Sequence, residues 1–270
     1  MTIFKLGVVG QPIKHSLSPI IHQEFSIRTG IQLQYEAYEV PPEALDSFIT
    51  NFFKDGGHGL NITLPHKKAC IASAHVLSKD VELLSAANTL TGKEGGKKIV
   101  ADSTDGAGFI RDCEDKNIQI LNKNIIILGA GGASQSIIPS IAKLGPAKLL
   151  VDNRTKNKTN SLFNQFPEIP LLDLDNFNGP IDMVINATSA GLAGSFDWDI
   201  IHGLDKETIF YDLSYGPSET PFLQWASSYS THKFDGIGML IFQAAYSFEL
   251  WFDIPPPTNH IKEILFKNND

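Results

Sequence analysis

Lys67 and Asp105 are residues whose types and positions suit proton-transfer chemistry. Lys67 lies near the end of GLNITLPHKK, beyond a strand that the sequence predicts over 59–64 and that Pro65 ends. Active sites in open α/β sheets lie outside the carboxyl ends of strands, so Lys67 is placed where chemistry occurs. Asp105 follows another predicted strand end, where a helix starts. Each also has an ordinary interpretation, because most lysines are solvated and an aspartate there can cap a helix.

A glycine-rich turn at 129–134 predicts a dinucleotide-binding site. The apolar, β-branched run at 124–128 is too short for a helix and favours a parallel strand buried on both faces. Gly129, Gly131 and Ser134 stand where such a turn needs a tight bend, a close pyrophosphate approach and a small residue. The following helix would present its N-terminal amides to the phosphate. Many glycine turns bind nothing, and Pro139 predicts a kink or a late helix start.

The next predicted strand, 148–151, bears on the choice between NADP and NAD. Its end faces the adenosine ribose in this kind of fold, where an arginine favours a 2′-phosphate and a carboxylate favours a free 2′-hydroxyl. Arg154 can bind phosphate with two donors, and Lys158 can add a second charge. These residues predict NADP(H). They could equally be surface charges at a helix start, and Asp152 turned inward would favour NAD.

Alternating strands and helices predict α/β architecture with largely parallel sheets. The N-terminal half has predicted strands at 3–9, 34–40 and 59–64, and predicted helices from Pro19 to about Thr29 and over 41–53. Further strands are predicted at 183–185 and 208–213. The segment 239–251 is apolar at helical spacing, apart from Gln243, a polar residue that needs partners.

Composition is that of an ordinary globular protein. The 270 residues are 42% hydrophobic and 19% charged, with a net charge of −8, which argues against a nucleic-acid surface. Cys70 and Cys113 suggest reduced thiols in a cytoplasmic protein, and we expect neither a signal peptide nor a membrane span. No G-x-S-x-G motif occurs, since Ala187 breaks the approach around Ser189, and the eight histidines show no H-E-x-x-H spacing. A serine hydrolase and a metal site are therefore disfavoured.

Nine motifs in register closely resemble the shikimate dehydrogenase family along nearly the whole chain. They are HSLSP, GLNITLPHK, AANT, STDGAGF, GAGGAS, NRT, NATSAG, DLSYGPSETPFL and DGIGMLIFQAAYSFELW. The resemblance implies two α/β domains: a substrate domain of residues 1–104 completed by C-terminal helices in 236–270, and a Rossmann-type NADP-binding domain of residues 105–235. The implied reaction is reversible NADPH-dependent reduction of 3-dehydroshikimate to shikimate.

The resemblance also implies roles for individual residues. Lys67 and Asp105 would be the catalytic pair, and Ser103 departs from the family, which usually has Asn there. The substrate carboxylate and ring hydroxyls would be bound by Ser16, Ser18, Thr63, Asn88, Tyr215 and Gln243. The cofactor would be bound by Gly129, Ala130, Gly131, Gly132, Ala133, Asn153, Arg154, Thr155, Lys158, Thr188, Ser189, Leu213, Gly236 and Met239. No metal is implied.

Two other functions fit the same fold. One is a quinate/shikimate dehydrogenase, or a relative acting on another cyclic hydroxy acid. The other is a non-catalytic ligand sensor, which could lose Lys67 or Asp105 without harm, although both are present. The expected partner in each case is a small molecule, in a monomer or homodimer that contacts neither nucleic acid nor membrane.

Overall fold

The chain, as a computed structural model, is described over residues 2–188, 198 and 200–266. Among these residues, none of the helices combines the length and the apolar character that crossing a membrane requires. The chain divides into two compact units, Met1–Gly108 with Ile241–Asp270, and Phe109–Leu240.

The first unit contains a six-stranded sheet in the order β2-β1-β3-β5-β6-β4. Its strands are β1 (Phe4–Gly10), β2 (Leu33–Glu39), β3 (Gly57–Ile62), β4 (Val76–Leu77), β5 (Thr89–Lys93) and β6 (Lys98–Asp102). Strand β1 pairs in parallel with β2 and β3, whereas β5 runs antiparallel to both its neighbours. The prediction of largely parallel sheets allows for this strand, since the tight 3₁₀ turn Glu94–Gly96 joins β5 and β6 in a hairpin and makes that pair antiparallel.

Helices of the first unit pack on this sheet and hold the strand that precedes Lys67. They are α1 (Ser18–Thr29), α2 (Leu45–Lys54) and α3 (Lys79–Leu84), with 3₁₀ turns at Pro42–Ala44 and Ala69–Ser73. Helix α2 packs Ile49, Phe52 and Phe53 into a core that includes Leu60 and Ile62 of β3. Burial of each such side chain contributes about 1.5–3 kcal/mol, so β3 presents its carboxyl end from a rigid core.

The second unit contains another six-stranded sheet, in the order β12-β11-β10-β7-β8-β9. Its strands are β7 (Asn124–Leu128), β8 (Lys148–Asp152), β9 (Leu171–Asp173), β10 (Met183–Asn186), β11 (Ile209–Asp212) and β12 (Lys233–Phe234). All described neighbouring pairs are parallel. Counted from β7, the order is that of the doubly wound dinucleotide-binding fold. Strand β7 is central and buried on both faces, as its unbroken apolar run predicts.

The remaining helices of the part of the chain that the structure describes are α4 (Asp105–Asp115), α5 (Gly132–Ala142), α6 (Lys156–Gln165), α7 (Pro221–Ala226), α8 (Ile237–Phe252) and α9 (Ile261–Phe266), with a 3₁₀ turn at Leu174–Asn176. Helices α4 and α8 each contain a boundary between the units. Helix α5 begins at Gly132 and contains Pro139 as a buried residue. The late helix start is therefore wrong: proline removes only its own amide bond, and the first turn forms ahead of it.

Candidate active site

Lys67 and Asp105 form an ion pair within the first unit. Lys67 lies in the turn after β3, and Asp105 is the first residue of α4. Lys67 Nζ donates to Asp105 Oδ2 at 2.6 Å, and the two side chains are 24% and 10% exposed. The helix N-terminus also favours the negative charge of Asp105. Partial burial limits the screening of this ion pair by water. The exposed part of Lys67 leaves its ammonium accessible to a bound molecule.

Asn88 fixes the second oxygen of the Asp105 carboxylate. Its Nδ2 lies 2.9 Å from Asp105 Oδ1, 2.9 Å from Thr104 Oγ1 and 3.2 Å from Gln243 Oε1. The backbone amide of Thr104 donates to Asn88 Oδ1 at 2.8 Å. Because both carboxylate oxygens accept hydrogen bonds, the Asp105 side chain is held in one orientation. The chain has this geometry with Ser103 at the position where the family usually has Asn. The structure therefore brings Lys67, Asn88, Asp105 and Gln243 together.

Behind this group lies a buried polar network that the sequence analysis missed. Ser247 Oγ, on α8, donates to the Gln243 carbonyl at 3.0 Å and accepts from Asn61 Nδ2 at 2.9 Å. Thr89 Oγ1 lies 2.7 Å from the same hydroxyl, and Tyr35 donates to Asn61 Oδ1 at 2.7 Å. The available signal was Asn61, a polar residue between the buried apolar residues Leu60 and Ile62 of β3. The network ties α8 to β3 and β5 and so supports Asn88.

Ser16, Ser18 and Thr63 lie in segments that follow β1 and β3, which are neighbours in the sheet. The Thr63 amide donates to the Val9 carbonyl at 2.9 Å, which holds these segments side by side. Ser16 Oγ accepts from the Ser18 amide at 3.3 Å at the start of α1. A Cβ added to Gly10 would lie 2.5 Å from Thr63 Cγ2, so the strand end needs glycine there. The three hydroxyls follow the carboxyl ends of adjacent strands, where ligands of such sheets bind.

The glycine turn of the second unit has the geometry that a pyrophosphate requires. Gly129 has φ 104°, and a Cβ there would lie 3.1 Å from the Ala187 carbonyl oxygen. Among the described residues, apart from the chain neighbours and the helix's own backbone, no heavy atom lies within 4 Å of a Cβ built on Gly131 or Gly132, so the backbone at the start of α5 is open. Ser134 Oγ donates to the Gly129 carbonyl at 2.6 Å and closes the turn. The residues present therefore fit a dinucleotide.

Four predicted cofactor residues follow β8. Asn153 links the two loops, because its Oδ1 accepts from the Ala130 amide at 3.2 Å and its Nδ2 donates to the Thr155 carbonyl at 2.9 Å. Arg154 and Lys158 are exposed, as is Ala133 in the first turn of α5. Two cations beside the glycine turn suit a phosphate in addition to the pyrophosphate.

Thr188, Leu213 and Gly236 meet where β10 and β11 end. Thr188 Oγ1 donates to Asn186 Oδ1 at 2.7 Å, and the Leu213 amide donates to the Asn186 carbonyl at 2.9 Å. A Cβ on Gly236 would lie 2.2 Å from the Leu213 carbonyl oxygen, so only glycine fits. Ser189 lies outside the described residues.

Met239 and Tyr215 complete the predicted set. Met239 is half-buried in α8, and Tyr215 is half-buried just after β11. Burial raises the pKa of the Tyr215 phenol, which keeps it neutral and able to donate a hydrogen bond. Tyr215 belongs to the second unit, whereas the other predicted substrate residues belong to the first.

Family models match along the chain in three stretches. Residues 8–90 match the shikimate dehydrogenase substrate binding domain, residues 113–213 match shikimate / quinate 5-dehydrogenase, and residues 236–266 match the shikimate 5′-dehydrogenase C-terminal domain. Shikimate dehydrogenase (NADP(+)) of Legionella pneumophila strain Lens is 40% identical over 262 residues, covering 97% of this chain and 98% of that protein. The chain belongs to the shikimate dehydrogenase family. The resemblance found in the sequence motifs is confirmed.

Solved structures of the family share the fold. Shikimate 5-dehydrogenase from Thermus thermophilus, in complex with NADP(H) and shikimate, matches with a TM-score of 0.86 at 28% identity, covering 98% of this chain and 99% of that one. The Listeria monocytogenes enzyme, in complex with shikimate and NAD, matches with a TM-score of 0.87 at 27% identity over 98% of this chain and 96% of that one. The predicted α/β fold with a Rossmann-type sheet is confirmed.

Proposed function

We propose that this protein catalyses the reversible reduction of 3-dehydroshikimate to shikimate, with NADPH as the hydride donor. The observation that carries the proposal is the Lys67–Asp105 pair, joined at 2.6 Å, in the unit that the substrate-binding-domain model matches. NADP is the cofactor named for the family's relatives. The open glycine turn and the exposed Arg154 of the second unit support this choice, because they suit a pyrophosphate and a 2′-phosphate.

The chemistry of Lys67 follows from the charge that forms during the reaction. NADPH, when bound, would supply a hydride to the ring carbonyl carbon, and negative charge would then build on the carbonyl oxygen. Lys67 Nζ stabilises that oxygen and donates a proton to it. Asp105 orients the ammonium and Asn88 orients Asp105. In the reverse direction Lys67 Nζ accepts the hydroxyl proton.

The domain bounds expected from the sequence differ from those of the two units only at 105–108 and 236–240, so Asp105 itself falls in the first unit. We assign substrate binding to residues 1–104 with 236–270, and NADP binding to residues 105–235. Support comes from the separate compact units and from the family models that match within each of them.

We further infer a cytoplasmic monomer or homodimer. Cys70 and Cys113 are buried and form no disulfide, and burial raises the pKa of the Cys70 thiol to about 12.

Ser16 and Ser18 are assigned to the substrate carboxylate, together with the ring contacts of Thr63, Asn88, Tyr215 and Gln243. Replacing both serines with Ala should weaken shikimate binding and leave NADP binding intact, because the lost donors lie after β1 in the first unit. Titration calorimetry with each ligand measures both effects. Ser26→Ala is the matched control, since Ser26 Oγ donates within its own region, to the Ile31 carbonyl at 2.6 Å. Normal shikimate binding by the double variant would leave both serines as helix-start residues.

Arg154 is assigned to the 2′-phosphate of NADP. Arg154→Ala should raise the Michaelis constant for NADP about ten- to hundredfold more than that for NAD, which is the loss of one charge-assisted contact. Initial rates with each cofactor measure this. Arg111→Ala is the control, because Arg111 is a half-exposed arginine of the same unit that pairs with Glu114 at 3.1 Å. Equal effects on NADP and NAD would show that Arg154 does not contact the phosphate.

One rate comparison tests the function. Initial rates should be measured with shikimate and with quinate, each under NADP and under NAD. We expect the highest kcat/KM for shikimate with NADP. The family model over residues 113–213 carries both substrate names. Higher kcat/KM for quinate would therefore favour the quinate/shikimate alternative, and binding of shikimate without turnover would favour a sensor.

A further inference from the structure

Lys156, the first residue of α6, holds three carboxylates of the second unit. Its Nζ lies 3.2 Å from Asp152 Oδ1, 3.1 Å from Asp173 Oδ1 and 2.8 Å from Asp175 Oδ2. One oxygen from each of the three aspartates lies within 4.8 Å of the others. Asp152 ends β8, whereas Asp173 and Asp175 come from β9 and the turn that follows it. One lysine therefore serves as the shared cation for acidic residues from two strands.

The energetic role of Lys156 follows from exposure and charge. The Asp152 side chain is 8% exposed, so water screens it poorly, whereas the Lys156 side chain is 48% exposed. The hydrogen bond to Asp175, with those to Asp173 and Asp152, raises the pKa of Lys156 against the effect of desolvation. Lys156 thus stays charged, and its charge offsets the mutual repulsion of the three carboxylates.

The position of Asp152 links this cluster to the choice between NADP and NAD. The last residue of the second strand of a dinucleotide-binding sheet is near the adenosine ribose, where a free carboxylate binds a 2′-hydroxyl and repels a 2′-phosphate. Asp152 is that residue, and Asn153 beside it contacts the Ala130 amide of the glycine turn at 3.2 Å. Arg154 is two residues further along the same loop. A free negative charge on Asp152 would therefore act against the Arg154 contact.

We propose that Lys156 is a positioning residue that sets the preference for NADP over NAD, by binding the Asp152 carboxylate so that it neither accepts from a 2′-hydroxyl nor repels a 2′-phosphate. This inference rests on the proposed function, because it concerns the cofactor of that reaction. It assigns the selectivity to a pair, with Arg154 attracting the phosphate and Lys156 removing the opposing charge.

Two adenosine nucleotides, one with a 2′-phosphate and one with a free 2′-hydroxyl, test the proposal by binding alone, without any turnover. Calorimetry at low ionic strength should measure the affinities of 2′,5′-ADP and 5′-AMP for the full-length protein and its variants. We expect Lys156→Met to reduce the affinity ratio of 2′,5′-ADP to 5′-AMP by about tenfold, because the unpaired Asp152 carboxylate would repel the 2′-phosphate. Lys156→Arg should keep the ratio. Lys206→Met is the matched control, since Lys206 is 86% exposed and lies 3.8 Å from Glu207.

A second substitution separates positioning from direct contact. Adding Asp152→Asn to Lys156→Met should restore most of the ratio if Lys156 acts through Asp152. If the ratio stays low in the double variant, Lys156 contacts the phosphate itself and the proposal is overturned. Lys156→Gln repeats the test with a polar side chain should the Met variant fold poorly.

The outcomes also separate this inference from the function on which it rests. Wild-type protein that turns over shikimate with NADP, while Lys156→Met keeps the wild-type affinity ratio, would overturn only the role of Lys156. Wild-type protein that shows no preference for 2′,5′-ADP would overturn both the role of Lys156 and the choice of NADP.

Discussion

Replacing Lys67 with Ala should lower the turnover number for shikimate by about 10²–10⁴-fold while changing its Michaelis constant far less. The reason is that the ammonium interacts most strongly with the oxygen once negative charge has formed there, in the transition state. Lys67 is held for this by Asp105 at 2.6 Å, and its side chain is still 24% exposed. Steady-state kinetics in both directions measure the effect.

Lys68→Ala is the matched control for this variant. Lys68 is the next residue in the same turn and is exposed, so its loss removes the same charge without touching the ion pair. Its turnover should stay near the wild-type value. Near-normal turnover of Lys67→Ala with weak shikimate binding would make Lys67 a binding residue, and the proton would come from another group.

Asp105→Asn should lower turnover in the same direction, by about 10²-fold, since the amide removes the charge that orients the lysine. The geometry also predicts how this substitution and the Lys67 substitution combine. Asp105 Oδ2 accepts from Lys67 and Oδ1 accepts from Asn88 at 2.9 Å, so the two catalytic residues form one unit. The Lys67→Ala, Asp105→Asn double variant should therefore be little worse than the worse single variant.

A double-variant cycle measured on turnover tests this coupling. Asp46→Asn is a suitable control, because Asp46 accepts from Ser73 at 2.7 Å on the exposed side of α2. If the effects of the Lys67 and Asp105 substitutions multiply instead, the two residues contribute independently, and the hydrogen bond between them is structural rather than catalytic.

The second unit was the part most predictable from sequence, because its signals are local. The apolar run 124–128 matches β7 residue for residue, and the open Gly131 follows from the motif. A strand buried on both faces leaves a continuous pattern, and a turn needing close backbone approach leaves glycine. The antiparallel direction of β5 does not follow from the alternation of strands and helices, because it depends on the glycine turn at 95–96, where both residues adopt positive φ.

Contacts between distant segments could not be derived from periodicity. Asn88 bonds to Asp105 and Gln243, 17 and 155 residues away in sequence; family resemblance indicated that these residues share a site, and the structure supplied the bonds. Asp152 is a second case, because the effect that we propose for it on the choice between NADP and NAD depends on its ion pair with Lys156. Asp152 ends β8 and Lys156 begins α6, so their ion pair spans a strand-to-helix loop, and the added carboxylate of Asp173 comes from another strand.

The most direct test of the central claim is isotope transfer from the cofactor. The purified protein should be mixed with 3-dehydroshikimate and NADPH dideuterated at nicotinamide C4, and the product examined by mass spectrometry and NMR. The account predicts shikimate that carries one deuterium on the ring carbon bearing the new hydroxyl, formed in equal amount to the NADP⁺ released. Recovery of unlabelled 3-dehydroshikimate, bound to the protein but not reduced, would contradict it.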